Sequence, residues 1–143
     1  MPYIHKIFDA ISDSISMHIF RTVASMDKNG DGIKSKEIMR EANVDPKLYY
    51  PRVSKLLKTD LINKYDDKYF FTSLGREIYR GVRILDEALD IFWKLNVVDV
   101  LMSSCNSTEY KMSCIMDCLI DNDEIKNILK KGLLSSSLTI SYY

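Results

Sequence analysis

Asp27, Asn29, Asp31 and Gly32 fall in a run, MDKNGDGIKSKEI at 26–38, whose side chains could hold calcium. An EF-hand loop draws oxygen ligands from positions one, three, five, seven and nine, and a bidentate Glu at twelve closes the sphere. Counted from Asp27, the twelfth residue is Ile38, and the carboxylate of Glu37 comes eleventh. Calcium needs six or more oxygens, of which the closing Glu supplies two. No second loop of this type occurs to pair with it. A calcium-binding, EF-hand-like protein is therefore one alternative, set against a plainer reading. Asn, Asp and Gly tolerate positive φ and cap their own backbone, so the run forms a turn. In that reading Ile33 starts a very short strand and Ser35 caps a helix. Glu37 then sits in the first turn, where negative charge suits the helix dipole.

A second set of candidates is basic. The formal net charge is zero, yet Lys34 to Arg83 holds twelve Lys/Arg against seven Asp/Glu. The remainder holds eight against thirteen, so a neutral total hides a basic middle. A local excess suits a polyanion, although an imbalance this modest also arises by chance. A third set is the thiols. Cys114 and Cys118 are four apart and share one face of a helix, with Cys105 upstream. That spacing can hold a metal or a redox pair, and the plainer reading is a pair of small helical cysteines. His5 and His18 lie far away in the first helix. There is no nucleophile-base-orienter set, phosphate loop or standard zinc signature, so neither an enzyme nor a cofactor is expected.

The elements that must carry these residues come from a chain of 143 residues, 46% hydrophobic. That length suits one domain with an appendage, and that composition can bury a core. No apolar run approaches the roughly 18 residues that span a bilayer. The first residues lack a basic n-region and a long apolar h-region. An odd count of three cysteines fits reduced thiols. These features predict a cytoplasmic protein without a membrane partner.

Ile4, Ile7, Phe8, Ile11, Ile15, Ile19 and Val23 recur at helical spacing, with a break near Ser12 to Ser14. Ser35 to Glu41 is a short helix, with Ile38 and Met39 as inner residues. Asp45 and Pro46 then open a helix running to about Thr59, as cap and first residue. Its inner face is Tyr49, Val53, Leu56 and Leu57. Leu61 to Tyr65 and Tyr69 to Thr72 flank a polar turn and read as a β-hairpin. The order helix, short strand, helix, turn, helix, hairpin is that of a winged helix-turn-helix, whose second turn helix enters the major groove.

Three stretches carry a resemblance. AISDSISMHIFRTVAS at 10–25 resembles the opening helix of ArsR-type winged-helix regulators. YYPRVSKLLKTDLI at 49–62 is similar to their recognition helix and its exit into the wing. YFFTSLG at 69–75 resembles the end of the wing, where the last strand runs into a Thr-capped helix. Tyr-Tyr-x-Arg, with a tail containing LIDNDEIK, looks closest to small archaeal regulators of this kind. The resemblance spans residues 10 to 95 and reaches the tail loosely. It implies a DNA-binding transcriptional regulator, and sensors of this type often use thiolates. Two positions depart from the pattern. Pro51 inside the recognition helix removes a backbone hydrogen bond and bends it. Asp60 replaces the usual Gly at the helix exit, and Asp tolerates the left-handed conformation.

The expected DNA face follows. Arg52 is the candidate for reading guanine through O6 and N7. Tyr50 contacts a base or a phosphate, Lys47 and Lys55 touch backbone, and Ser54 serves either role. Lys64 and Lys68 flank a wing tip of Asp66 and Asp67, which would repel a minor-groove floor. Each basic residue could instead be a solvated surface charge. Ser73 to about Leu95 reads as a long helix, with Leu74, Ile78, Val82, Leu85, Leu89 and Phe92 on one stripe. Its surplus apolar surface predicts a homodimer, against a monomer whose C-terminal segments cover it. A second piece continues from Val97 to Met102, past a break at Asn96. Residues 103–108 are a loop, Glu109 to Leu119 and Asp123 to Lys131 are short helices, Gly132 is a C-cap, and the end is loose. The fold expected is mainly α with a small β-hairpin, an α+β chain. It divides into a winged helix-turn-helix (1–75), a dimerisation helix region (76–102) and a short helical C-terminal part (103–143). The function expected is sequence-specific binding of double-stranded DNA as a dimer. The alternative is a winged-helix protein-interaction module that does not bind DNA.

Overall fold

The break near Ser12 to Ser14 separates α1 (Ile4–Ile11) from α2 (Ser14–Met26) in the structure, a computed structural model that describes residues 3–104 and 109–140. Asp13 makes the break a helix start. Its carboxylate accepts from the Ser16 N–H at 2.9 Å and the Ser16 hydroxyl at 2.5 Å, which is N-capping. Ile7, Ile11, Ile19 and Val23 are buried as the spacing predicts, whereas Ile4 and Phe8 turn to solvent.

The chain forms two compact units, Met1–Gly81 and Val82–Tyr143. The boundary between them falls inside α5 (Ser73–Asp90). The first unit continues from α2 through β1 (Ile33–Lys34), α3 (Ser35–Ala42), α4 (Pro46–Lys58), β2 (Ile62–Tyr65) and β3 (Lys68–Phe71). The strands form an antiparallel sheet in the order β1-β3-β2, with Ile33 opposite Tyr69 and Ile62 opposite Phe71. The class is α+β, mainly helical, as the sequence predicts. Phe20, Ile38, Tyr49, Val53, Leu56 and Leu61 fill the core, and Phe20, Phe71 and Tyr79 meet in tilted and edge-on ring contacts of 5.3–6.1 Å.

Local chemistry explains most boundaries. Pro46 opens α4 with Asp45 at the N-cap, and Asp60 closes it in the left-handed region at φ 57. The cap of α3 differs from expectation. The N-cap is Lys34, whose N–H donates to Glu37, and Ser35 is already helical. Thr72 caps α5 by accepting from the Gly75 N–H at 2.9 Å. A Cβ on Gly75 would stand 2.2 Å from the Leu61 carbonyl oxygen, so the helix meets the sheet at this distance only without a side chain.

The turn after α2 has a clear role. Asp27 is buried. One carboxylate oxygen accepts from the Gly32 N–H at 3.2 Å, and the other from the Phe71 N–H at 2.7 Å. β1 begins only at Ile33, opposite Tyr69, so two residues further along β3 there is no strand to meet Phe71 on that side. Asp27 takes the place of that strand. Gly32 has φ +76, and a Cβ there would come within 2.6 Å of the Phe70 ring.

In the second unit the long helix ends earlier than its pattern suggests. α5 stops at Asp90 and α6 (Phe92–Ser104) begins two residues later. The break lies at Ile91, whose carbonyl accepts from both Lys94 and Leu95. Asn96 is exposed within α6 and interrupts nothing. α7 (Glu109–Leu119) matches its expected span. α8 (Asp123–Ile140) runs through Gly132, which lies inside the helix and does not end it, so the segment expected to be loose is helical to 140. Asn122 caps α8 by accepting from the Ile125 N–H, and its amide donates to Glu87. Val98, Met112, Met116, Ile120 and Ile125 form the core of this unit. Among the described residues no helix is long and apolar enough to cross a membrane.

Asp27→Ala will lower the unfolding free energy by about 3 kcal/mol, because it strands a buried N–H that now bonds to a charge. Asp27→Asn keeps one acceptor oxygen and will lose less. Urea unfolding of the three proteins checks the order, and a loss below about 1 kcal/mol for the alanine variant would remove Asp27 from this role.

Candidate nucleic-acid interface

α4 has two faces with different duties. Tyr49, Val53 and Leu56 are buried. The Tyr49 hydroxyl donates to Ser35 Oγ at 3.3 Å, and burial, the largest cause, pushes its pKa up to about 12. The opposite face carries Lys47, Pro51, Ser54 and Lys58 at helical spacing, with Lys47, Pro51 and Lys58 exposed and Ser54 half-buried. Tyr50 flanks this stripe, 52% exposed and edge-on to Tyr49 at 5.1 Å. Lys58 belongs to the stripe although the sequence reading left it out of the site. Its placement at i+4 from Ser54 was the available signal.

Arg52 does not lie on that stripe. Its Nε donates to Asp13 at 3.0 Å, and Nη1 donates to the Leu48 carbonyl at 2.9 Å. The helix runs unbroken through Pro51. Proline supplies no N–H to the carbonyl four residues back and crowds that turn. The guanidinium of the next residue adds a donor on the same turn. Arg52 thus ties α4 to the start of α2. Lys55 reaches Asp9 on α1 at 3.4 Å, with both partners exposed. Two of the cations expected to face DNA are therefore paired inside the unit. Lys47 and Lys58 form no ion pair with a described residue.

Asp13 is the electrostatic pivot. The Ser16 hydroxyl is the largest cause, and together with the Ser16 N–H and Arg52 it holds the carboxyl well below the ordinary 3.8, although desolvation, the second-largest effect, opposes them. A depressed acid contributes stability above its unfolded pKa and loses it as pH falls through the folded value. The Asp13–Arg52 pair therefore stays ionised through mild acid.

The hairpin presents few free cations. Asp66 and Asp67 form its two-residue turn with φ 50 and 57, the pairing of left-handed residues that type I′ hairpins use. Lys64 lies 3.9 Å from Asp67 and over the Tyr69 ring, and Lys68 is half-buried opposite Tyr65.

The calcium-like run has its first carboxylate committed elsewhere. Both oxygens of Asp27 bond to backbone, and Asn29 and Asp31 point to solvent. Cys114 and Cys118 are free and exposed on α7, and Cys105 lies outside the described residues. Among the described residues no group of three or more His, Cys, Asp or Glu side chains could hold a metal. Comparison with family models, with curated proteins and with solved structures finds no match.

Two outcomes test this arrangement. In a double-mutant cycle, Asp13→Asn and Arg52→Ala will couple by about 1 kcal/mol, the range of partly exposed pairs, and additivity would show that the pair does no work. Millimolar calcium will move the melting temperature by less than about 1 °C, since a ligand stabilises only through sites it binds. A larger rise, lost in Asp31→Ala, would restore the calcium reading.

Proposed function

We propose that the chain is a winged helix-turn-helix protein that binds double-stranded DNA and regulates transcription. One observation carries the reading: α4 follows α3 across a tight turn, precedes the β2–β3 hairpin, and offers Lys47, Ser54 and Lys58 outward with Tyr50 beside them. In this reading α4 lies in the major groove. Lys47 and Lys58 neutralise phosphates, while Tyr50 and Ser54 reach base edges. Arg52 holds α4 in place, and it reads guanine only by leaving Asp13. The ArsR-type resemblance of the sequence fits the same assignment, as does a cytoplasmic setting with reduced thiols. The protein acts by binding, not by catalysis.

A second reading is a winged-helix module that binds another protein. Asp9 and Asp13 neutralise Lys55 and Arg52, and the hairpin tip is acidic, which weakens the case for a polyanion.

Fluorescence anisotropy of a labelled duplex at two salt concentrations separates the two. DNA binding will weaken steeply with salt, and Lys47→Ala with Lys58→Ala will reduce the salt slope by about two and the affinity by roughly tenfold or more. Folded protein that binds no duplex at low salt would transfer the assignment to the protein-interaction module.

A further inference from the structure

A cavity of about 530 Å³ opens on the first unit, walled by the start of α2, the end of α3 and the turn into α4. That volume lies in the range of sites that take small molecules, which are concave, largely apolar and marked by a few placed polar groups. Ile15, Val44 and Leu48 supply the apolar wall. Ile15 and Val44 are half-buried, and Leu48 is 41% exposed. Two polar groups of the lining are left unused by the fold. Asp45 stands at the N-cap of α4, where Asp is favoured because its carboxylate accepts an N–H of the first turn. Its side chain makes no such bond, and it pairs with no described cation. His18 is tied on one side only. Its Nε2 lies 3.0 Å from the Ala42 carbonyl oxygen, which can only accept, so Nε2 carries the proton. In the neutral ring Nδ1 is then an acceptor.

We propose that this cavity binds a small primary amine, whose ammonium meets Asp45 and His18 Nδ1 while its apolar body covers Ile15, Val44 and Leu48. The match is one of donors to acceptors. An ammonium has three N–H donors and no acceptor, and Asp45 and His18 Nδ1 offer acceptors only. No Lys or Arg lines the cavity to repel it. A neutral alcohol would reach the same groups without the charge, and a carboxylate would face Asp45 as a like charge. The N-termini of α2 and α4 border the cavity and would draw an anion, but each already carries an aspartate at its cap. The site belongs to the first unit alone and stands whether or not α4 meets DNA.

Proton–nitrogen correlation spectra of the full chain test the assignment, with phenethylamine, hexylamine and cyclohexylmethylamine as probes. At least one of these amines will shift the backbone amides from Ser14 to His18 and from Ala42 to Leu48, with a common Kd of about 1 mM or tighter. The alcohol of the same carbon skeleton will bind about tenfold more weakly, because it brings no charge to Asp45. Phenylacetate will leave these amides unmoved. Asp45→Asn keeps a residue equally favoured at an N-cap, so α4 still forms. It will nevertheless lower amine affinity at least about tenfold and erase the preference over the alcohol. Asp66→Asn, at the hairpin tip, will change neither. Leu48→Ala will weaken amine and alcohol by the same factor. Three amines that shift none of these amides in folded protein would overturn the proposal. So would phenylacetate binding as tightly as the amine, or an Asp45→Asn variant that keeps its preference for the amine. Shifts scattered over exposed carboxylates and unaltered by Asp45→Asn would show attraction to the surface at large, and they overturn it as well.

Discussion

A single buried carboxylate holds the first unit in register. Asp27 ends α2, folds the following turn through Gly32, and supplies the acceptor that β3 lacks beyond Tyr69, where β1 has not yet begun. A two-residue strand makes too few ladder bonds to stand alone. It persists here because the turn before it is pinned to the neighbouring strand by a charge-assisted bond. The two helices that follow depend on that placement. β1 leads without a linker into α3, and α3 fixes Ser35, which receives the Tyr49 hydroxyl of α4. The position of the outward lysines of α4 is thus set partly by an aspartate that never touches them.

The same economy governs the charges of α4. Under the proposed DNA-binding role α4 needs free cations, yet a helix that carries a proline inside it also needs support. Arg52 and Lys55 serve the second need, bound to Asp13 and Asp9 on the two preceding helices. Lys47 and Lys58 are left for the first. The basic middle of the chain is therefore less basic toward solvent than its count suggests, because part of its positive charge is answered by acids from outside that segment.

What could be read from the sequence was what neighbours decide. The break at Ser12 to Ser14, the Asp45–Pro46 start, the left-handed Asp60 and the hairpin turn each depend on residues within a few positions, and each stands where it was expected. The buried faces of α2 and α4 followed from period alone. The role of Asp27 did not, since its partner Phe71 is 44 residues away. The Arg52–Asp13 bond spans 39 residues, which is why Arg52 looked like a free guanidinium. Helix ends in the second unit misled for a related reason. Gly132 reads locally as a stop, and α8 continues through it, as α6 continues through Asn96. The calcium-like run was the converse case, where a local pattern with a familiar chemistry serves a purpose set by a distant strand.

That run has different constraints at its different positions. Asp27 and Gly32 are fixed by the sheet and by the Phe70 ring, whereas Asn29 and Asp31 face water and hold nothing else in place. Selection on the fold will preserve the first and last of these residues and leave the middle pair free to drift. Lineages descended from this sequence would keep the shape of the turn while losing its likeness to a calcium loop. The likeness to a calcium loop therefore rests on two residues that the fold itself does not require, and related chains in which Asn29 and Asp31 never vary would argue for a role beyond the turn.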